Sequence, residues 1–168
     1  MRTALLALTL LLSACGFHLR GHGLKEAAFA FHSIYLQVPA ETPFVEGLRN
    51  GLKSYKLALS PAADKADVIF QVVSESRDKQ ILALSGGGQV NEYQLFYRVS
   101  FRVYDNQKRD WLPAGKIELQ RDFNYDNSQI LAMAQEEAQI YNDMYSDAVQ
   151  QVLRRLSLAK PPQPDGQD

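Results

Sequence analysis

Between Tyr93 and Val103, the residues Tyr93, Leu95, Tyr97, Val99, Phe101 and Val103 alternate with Gln94, Phe96, Arg98, Ser100 and Arg102. A period of two puts successive side chains on opposite faces of an extended chain, so this segment reads as a strand with one apolar and one polar face. A slip of one residue would exchange the faces, which pins its register in any sheet it joins. The remaining segments therefore have to cover one face and leave the other in water. Phe96 alone is aromatic on the polar side. It is either a single exposed apolar residue or part of a docking surface, and is a candidate partner contact.

The rest of the chain supplies such a layer. Ile34, Leu36 and Val38 alternate with Ser33, Tyr35 and Gln37 in a first strand that Pro39 stops. Thr42-Pro43 places a capping hydroxyl before a proline at the first helical position, and Phe44, Val45, Leu48, Leu52 and Tyr55 recur at helical spacing. Gly47 and Gly51 weaken that helix by about 1 kcal/mol each relative to Ala; close approach of the helix to the sheet is the expected compensation. Val68, Phe70 and Val72 open a long second strand running toward Leu84, and residues 93–103 form the third. After the polar turn Asp105–Asp110 and Pro113-Ala114-Gly115, a fourth strand alternates Ile117, Leu119, Phe123 and Tyr125 with Glu118, Gln120, Asp122 and Asn124.

Asp126, Asn127 or Ser128 caps a last helix with Ile130, Leu131, Ala134, Ala138, Tyr141, Tyr145, Ala148, Val152 and Leu156 on one stripe. The order is β-α-β-β-β-α. The first helix suits a right-handed crossover between parallel strands, and the short later links suit antiparallel pairs. The fold class is α+β, a two-layer sandwich with a four-stranded mixed sheet and two helices on one face. The sheet's other face carries Arg98, Arg102, Glu118, Gln120 and Asp122.

The N-terminus supplies an address. Arg2, the apolar run Ala4–Leu12 and the small residues Ser13 and Ala14 have the order of a cleaved signal peptide, residues 1–14, too short to span a bilayer as a mature helix. Leu12-Ser13-Ala14-Cys15 resembles a bacterial lipobox, which implies cleavage before Cys15, S-diacylglycerol on its thiol and an N-acyl chain on the new amine. One acyl chain binds a membrane marginally, whereas several make a stable anchor. The alternative is an ordinary signal with Cys15 left as a free thiol. Cys15 is the only cysteine, so no intrachain disulfide can form and the exported domain depends on its apolar core. Gly16 in place of Asp favours the outer membrane, by resemblance to lipoprotein sorting rules. Residues 15–30 read as a lipidated tether, 31–159 as the sandwich domain, and 160–168, without apolar content, as a disordered tail.

Searching for chemistry returns little. A net charge of -1 argues against nucleic acid as a partner. Gly86-Gly87-Gly88 lacks the Lys-Ser/Thr ending of a phosphate loop and precedes a strand, so it reads as a hairpin tip. The histidines are His18, His22 and His32; the first two sit in the tether without a third ligand, and no metal site follows. There is no nucleophile elbow. Glu136-Glu137 reads as a solvated outer helix face, and Asp122 with Asp126 is a weak acid-base pair. No catalytic residue and no cofactor are expected, and the chain reads as non-enzymatic. Tyr93, Tyr97, Tyr141 and Tyr145 read as core tyrosines with satisfied hydroxyls.

Four segments, in order, carry a family resemblance: Cys15-Gly16-Phe17-His18-Leu19-Arg20, Asn91-Glu92-Tyr93-Gln94, Phe123-Asn124-Tyr125-Asp126-Asn127, and Tyr145 through Leu156. The chain resembles LptE, the lipopolysaccharide-assembly lipoproteins of Gram-negative outer membranes. That resemblance implies a two-helix, four-stranded sandwich that plugs the LptD outer-membrane barrel as its heterodimeric partner, supports its assembly and binds lipopolysaccharide. Some family members meet the anionic lipid with basic residues near the second hairpin tip and early in the last helix. Here those regions read Gly86-Gly87-Gly88 and Ala132-Met133-Ala134. Arg77 and Lys79, or Arg98 and Arg102, are the candidate substitutes. The rival readings are a lipoprotein that binds a different outer-membrane protein and a lipid-anchored hydrolase.

Overall fold

A computed structural model describes residues 29–162, and the alternating segment forms the central antiparallel strand of its sheet. Seven elements follow in chain order: β1 Ser33–Gln37, α1 Pro43–Ser54, β2 Ala58–Leu59, β3 Val68–Leu84, β4 Val90–Tyr104, β5 Asp110–Asn124 and α2 Ile130–Ser157. The sheet order is β2-β1-β3-β4-β5, with β1 parallel to both β2 and β3 and the later pairs antiparallel. Leu95, Tyr97, Val99, Phe101 and Val103 are all buried beneath the helices. Phe70 stacks on Phe101 with ring centroids 5.1 Å apart. The mixed sheet and two-helix layer agree with the sequence expectation.

The strand count differs: the sheet has five strands, not four. β2 contributes only Ala58-Leu59, a length at which alternation cannot register, and is held by Ala58 N donating to His32 O (3.1 Å) and Ser60 N to Ile34 O (2.9 Å). Lys56, with φ 60°, turns the chain out of α1 into this strand. At the other end of α1, Thr42 Oγ1 accepts from Val45 N at 3.3 Å and Pro43 occupies the first turn, as expected.

The glycines of α1 face its neighbour helix, not the sheet. A Cβ at Gly47 would lie 3.2 Å from Val149 Cγ2, and one at Gly51 would lie 2.7 Å from Leu153 Cδ1, so the close approach is between α1 and α2. The stripe of α2 also departs from expectation. Tyr141, Met144, Tyr145, Ala148, Val149, Val152 and Leu156 are buried, but Ile130 and Leu131 are exposed, as are Ala134 and Ala138. The first turns of α2 run past the core toward the β3–β4 tip.

β5 begins at Asp110, before Pro113, because an edge strand tolerates a missing donor and the register with β4 shifts there. Gly115 of this strand lies under Phe101. A Cβ there would meet Phe101 Cζ at 2.8 Å and Arg155 Nη1 at 3.1 Å, and that guanidinium donates to Lys116 O at 3.3 Å. Gly115→Val is therefore expected to destabilise the fold by about 1–3 kcal/mol through overpacking. A lowered melting temperature in a soluble exported form with Cys15→Ala is the check.

Candidate functional site

A bulge at Val73 decides where the candidate cations point. Val72 pairs with Phe101 and Ser74 with Ser100, so Val73 is an extra residue and the side-chain parity of β3 reverses beyond it. Glu75, Arg77 and Lys79 thereby join the helix-covered face, although their spacing from Phe70 and Val72 assigns them to the open one. Lys79 Nζ donates to Glu137 Oε2 at 2.8 Å and lies 4.8 Å from the Tyr93 ring centroid. Arg77 Cζ lies 5.3 Å from the Tyr141 centroid, and among the described residues it has no carboxylate partner. Tyr141 donates to Asp78 O at 2.9 Å. Glu137 is thus turned toward β3, not into solvent as its sequence context predicts.

Arg77, Asp78, Lys79, Glu137 and Tyr141 line a cleft of about 470 Å³ between β3 and α2. Just beyond it, toward the tip, stand Ile81, Leu82 and Leu84 of β3 and Ile130 and Leu131 of α2, between 46% and 75% exposed. Lone exposed apolar residues are ordinary, but five gathered at one end beside two cations make an amphiphilic surface. Sequence reasoning missed this cluster. Its signal was the uncharged run Gln80–Leu84 beside the glycine tip and the absence of a partner for the first turns of α2. The tip itself is a hairpin turn, as read: Gly88 N donates to Ser85 O, and Gly88 has φ +77°.

Arg98, Arg102 and Phe96 lie on the opposite, uncovered sheet face, so the structure does not bring the four candidate cations together. Arg98 Nε donates to Glu118 Oε1 at 2.6 Å while its guanidinium covers the half-buried Phe96 ring at 4.7 Å. Hydrogen bonds from Lys116 (2.7 Å) and then Arg98 hold the Glu118 carboxyl below its ordinary range. Arg102 pairs with Asp110 at 3.0 Å, and Gln94 donates to Asp122 at 2.9 Å. This face is polar, with its charges matched across strands. Asp126 caps the turn leading into α2 by accepting from Ser128 N at 2.8 Å. Cys15, His18 and His22 lie outside the described residues, as do the signal segment 1–14 and residues 163–168 of the tail.

The base of the sheet carries two carboxylates with lowered pKa. Backbone N–H groups of His32 and then Ser33 hold Asp67 down against its partial burial. Burial pushes the Asp105 carboxyl up, but donors from Arg109 and Gln107 outweigh it. A depressed folded pKa contributes stability that is present above the unfolded value and lost as pH falls through the folded one. Urea midpoints are therefore expected to fall as pH drops below the ordinary aspartate range. Asp105→Asn should flatten that dependence.

Residues 31–156 match the LptE family, described as lipopolysaccharide-assembly. The chain belongs to the LptE family. Among solved structures, lipoprotein B from Nitrosomonas europaea is 35% identical, with 84% of this chain and 90% of that chain covered at a TM-score of 0.70. Rare lipoprotein B from Shewanella oneidensis is 25% identical over 74% of this chain and 93% of that one, with a TM-score of 0.66. A minor lipoprotein from Acinetobacter baumannii, at 22% identity and a TM-score of 0.66, covers 82% of this chain and 100% of its own, and shares the fold. No curated protein matches the chain. LptE membership makes this a lipopolysaccharide-assembly lipoprotein. Among the described residues no helix is long and apolar enough to cross a membrane.

Proposed function

We propose that this LptE protein is anchored in the outer membrane through an acylated Cys15 and acts as the plug and assembly partner of an LptD barrel, without catalysis of its own. The observation that carries the reading is the uncovered sheet face. Among the described residues it has no helical layer, yet cross-strand pairs such as Arg98–Glu118 and Arg102–Asp110 keep it polar and balanced in charge. Such a face suits the polar, water-filled interior of a barrel, where an apolar face would not. Phe96, flat beneath Arg98, gives that surface one aromatic contact for the barrel wall. Mild detergent extraction followed by affinity purification is expected to yield a one-to-one complex with the barrel. Recovery of a solitary domain would overturn the proposal.

The amphiphilic end supports a second role for the same protein, contact with lipopolysaccharide. Arg77 and Lys79 match anionic headgroup chemistry, and Ile81, Leu82, Leu84, Ile130 and Leu131 offer apolar surface for acyl chains. Arg98 and Arg102 are weaker candidates, since Glu118 and Asp110 already neutralise them.

A further inference from the structure

The two helices run parallel, with Gly47 against Val149 and Gly51 against Leu153, so both C-termini reach the end of the sheet opposite the β3–β4 tip. The described chain begins at that same end, where the Phe29 ring stands edge-on to Tyr55, just past α1, with centroids 5.5 Å apart. Exposed cations ring this base. Lys53 and Arg154 lie in the last turns of α1 and α2, Lys56 and Lys160 just beyond them, Lys65 in the 3-10 turn before β3, and Lys108 in the β4–β5 turn. None of them has a carboxylate partner among the described residues.

The counter-charge at this end is small. Arg109 already holds the Asp105 carboxylate at 2.7 Å, so Asp64 and Asp67 are what the neighbouring loops set against the ring. The two helix C-termini together add about one negative charge. Outside the described residues, the adjoining sequence carries Arg20 and Lys25 against Glu26, Asp165 and Asp168, which does not reverse the excess. Asp122, Asp126 and Glu136, without a cationic partner among the described residues, stand toward the opposite end. The formal net charge of -1 therefore conceals a polarity along the sheet.

We infer that this base docks on the surface of an anionic phospholipid bilayer, its cations meeting lipid phosphates while Tyr55 and Leu158, 37% and 69% exposed, enter the boundary between headgroups and acyl chains. The spread of the cations selects a surface over a small anion, because they encircle one end of the domain and converge on no pocket. Position selects a bilayer over an acidic protein. Docking here rests in part on the proposed acyl anchor at Cys15: residues 16–28 can extend at most about 50 Å, so an anchored domain keeps this end beside a membrane at all times. At that distance the acyl chains hold the domain near the leaflet, and basic residues within a Debye length of an anionic surface orient it. The uncovered sheet face and the overhanging tip stay free for the barrel and for lipopolysaccharide.

The test uses the exported Cys15→Ala chain, which lacks the acyl anchor, in co-sedimentation with phosphatidylcholine vesicles that contain either no anionic lipid or about one-third phosphatidylglycerol. The chain is expected to sediment with the anionic vesicles at low salt, to remain in solution with the neutral ones, and to be released at high salt. Lys53→Glu, Lys56→Glu and Arg154→Glu combined should weaken the partitioning on the order of a hundredfold or more, whereas Arg77→Glu with Lys79→Glu at the tip should change it by less than about threefold. Failure to sediment with the anionic vesicles, or equal sedimentation with both kinds, overturns the inference. So does release by the tip reversal and not by the base reversal. The vesicle comparison needs no charge variant and decides the matter even if the triple reversal fails to fold. Because the anchor is absent throughout, a negative result leaves the acylation of Cys15 and the barrel partnership standing.

Discussion

Glu75→Ala is expected to lower the unfolding free energy by about 2–4 kcal/mol, a large effect for a residue outside the apolar core. Its carboxylate joins three elements. Tyr97 Oη of β4 donates to Oε1 at 3.0 Å, and Thr42 Oγ1, the cap of α1, donates to Oε2 at 2.9 Å while accepting from Val45 N. Tyr97 is fully buried. Burial, and then the neighbouring carboxylate, push its hydroxyl far above the ordinary tyrosine range, so it remains a donor at any working pH. Removing Glu75 leaves that donor buried without an acceptor and frees the α1 cap to rotate.

Two further variants separate this account from simple loss of packing. Glu75→Gln keeps an oxygen for Tyr97 and should cost about 1 kcal/mol or less. Tyr97→Phe in the Glu75→Ala background removes the stranded hydroxyl, so the double variant should be less destabilised than the sum of the two singles. Urea denaturation of the parent, Glu75→Ala, Tyr97→Phe and the double variant, all in the soluble Cys15→Ala form, gives the coupling. Strict additivity, or an unchanged midpoint for Glu75→Ala, would sink the network.

Tyr97 and Glu75 also mark what could be read in advance. Tyr97 belongs to an alternation so regular that its burial and its face follow from the period alone, and Thr42-Pro43 likewise announces the start of α1 through local chemistry. Glu75 could not be placed this way. Its face depends on the bulge at Val73, a backbone event with no residue signature, and one inserted position reverses every side chain after it. Arg77 and Lys79 are consequently interchangeable with Arg98 and Arg102 in the sequence, although the two pairs end on opposite faces. β2 escaped notice because two residues carry no period. Ile130 and Leu131 share the helical spacing of Tyr141 and Tyr145, and spacing cannot say where along a helix the sheet beneath it stops. The fold was therefore legible from periodicity, whereas the amphiphilic end is a property of how far two elements overhang the core.

That overhang makes the strongest functional prediction. Arg77→Glu combined with Lys79→Glu is expected to reduce lipopolysaccharide recovered with the purified protein on the order of tenfold or more, equivalent to at least about 1.4 kcal/mol. The reversal acts twice, since the carboxylate introduced in place of Lys79 would also face Glu137, now 2.8 Å from the Lys79 ammonium. Two adjoining carboxylates repel both each other and an anionic headgroup. Arg98→Glu with Arg102→Glu should change recovery much less, because those cations already face Glu118 and Asp110. Ile81→Ser with Leu131→Ser tests the apolar half. It should lower recovery even in high salt, where the contribution of exposed charges is screened. The order of the three double variants distinguishes the sites. If the open-face pair proves the more damaging, the lipid runs along the uncovered sheet and the overhang is only a structural end. If the two charge reversals are equal, the lipid responds to overall charge and not to a site. Only a loss centred on Arg77, Lys79 and their apolar neighbours assigns the headgroup and acyl chains to the end that the Val73 bulge created.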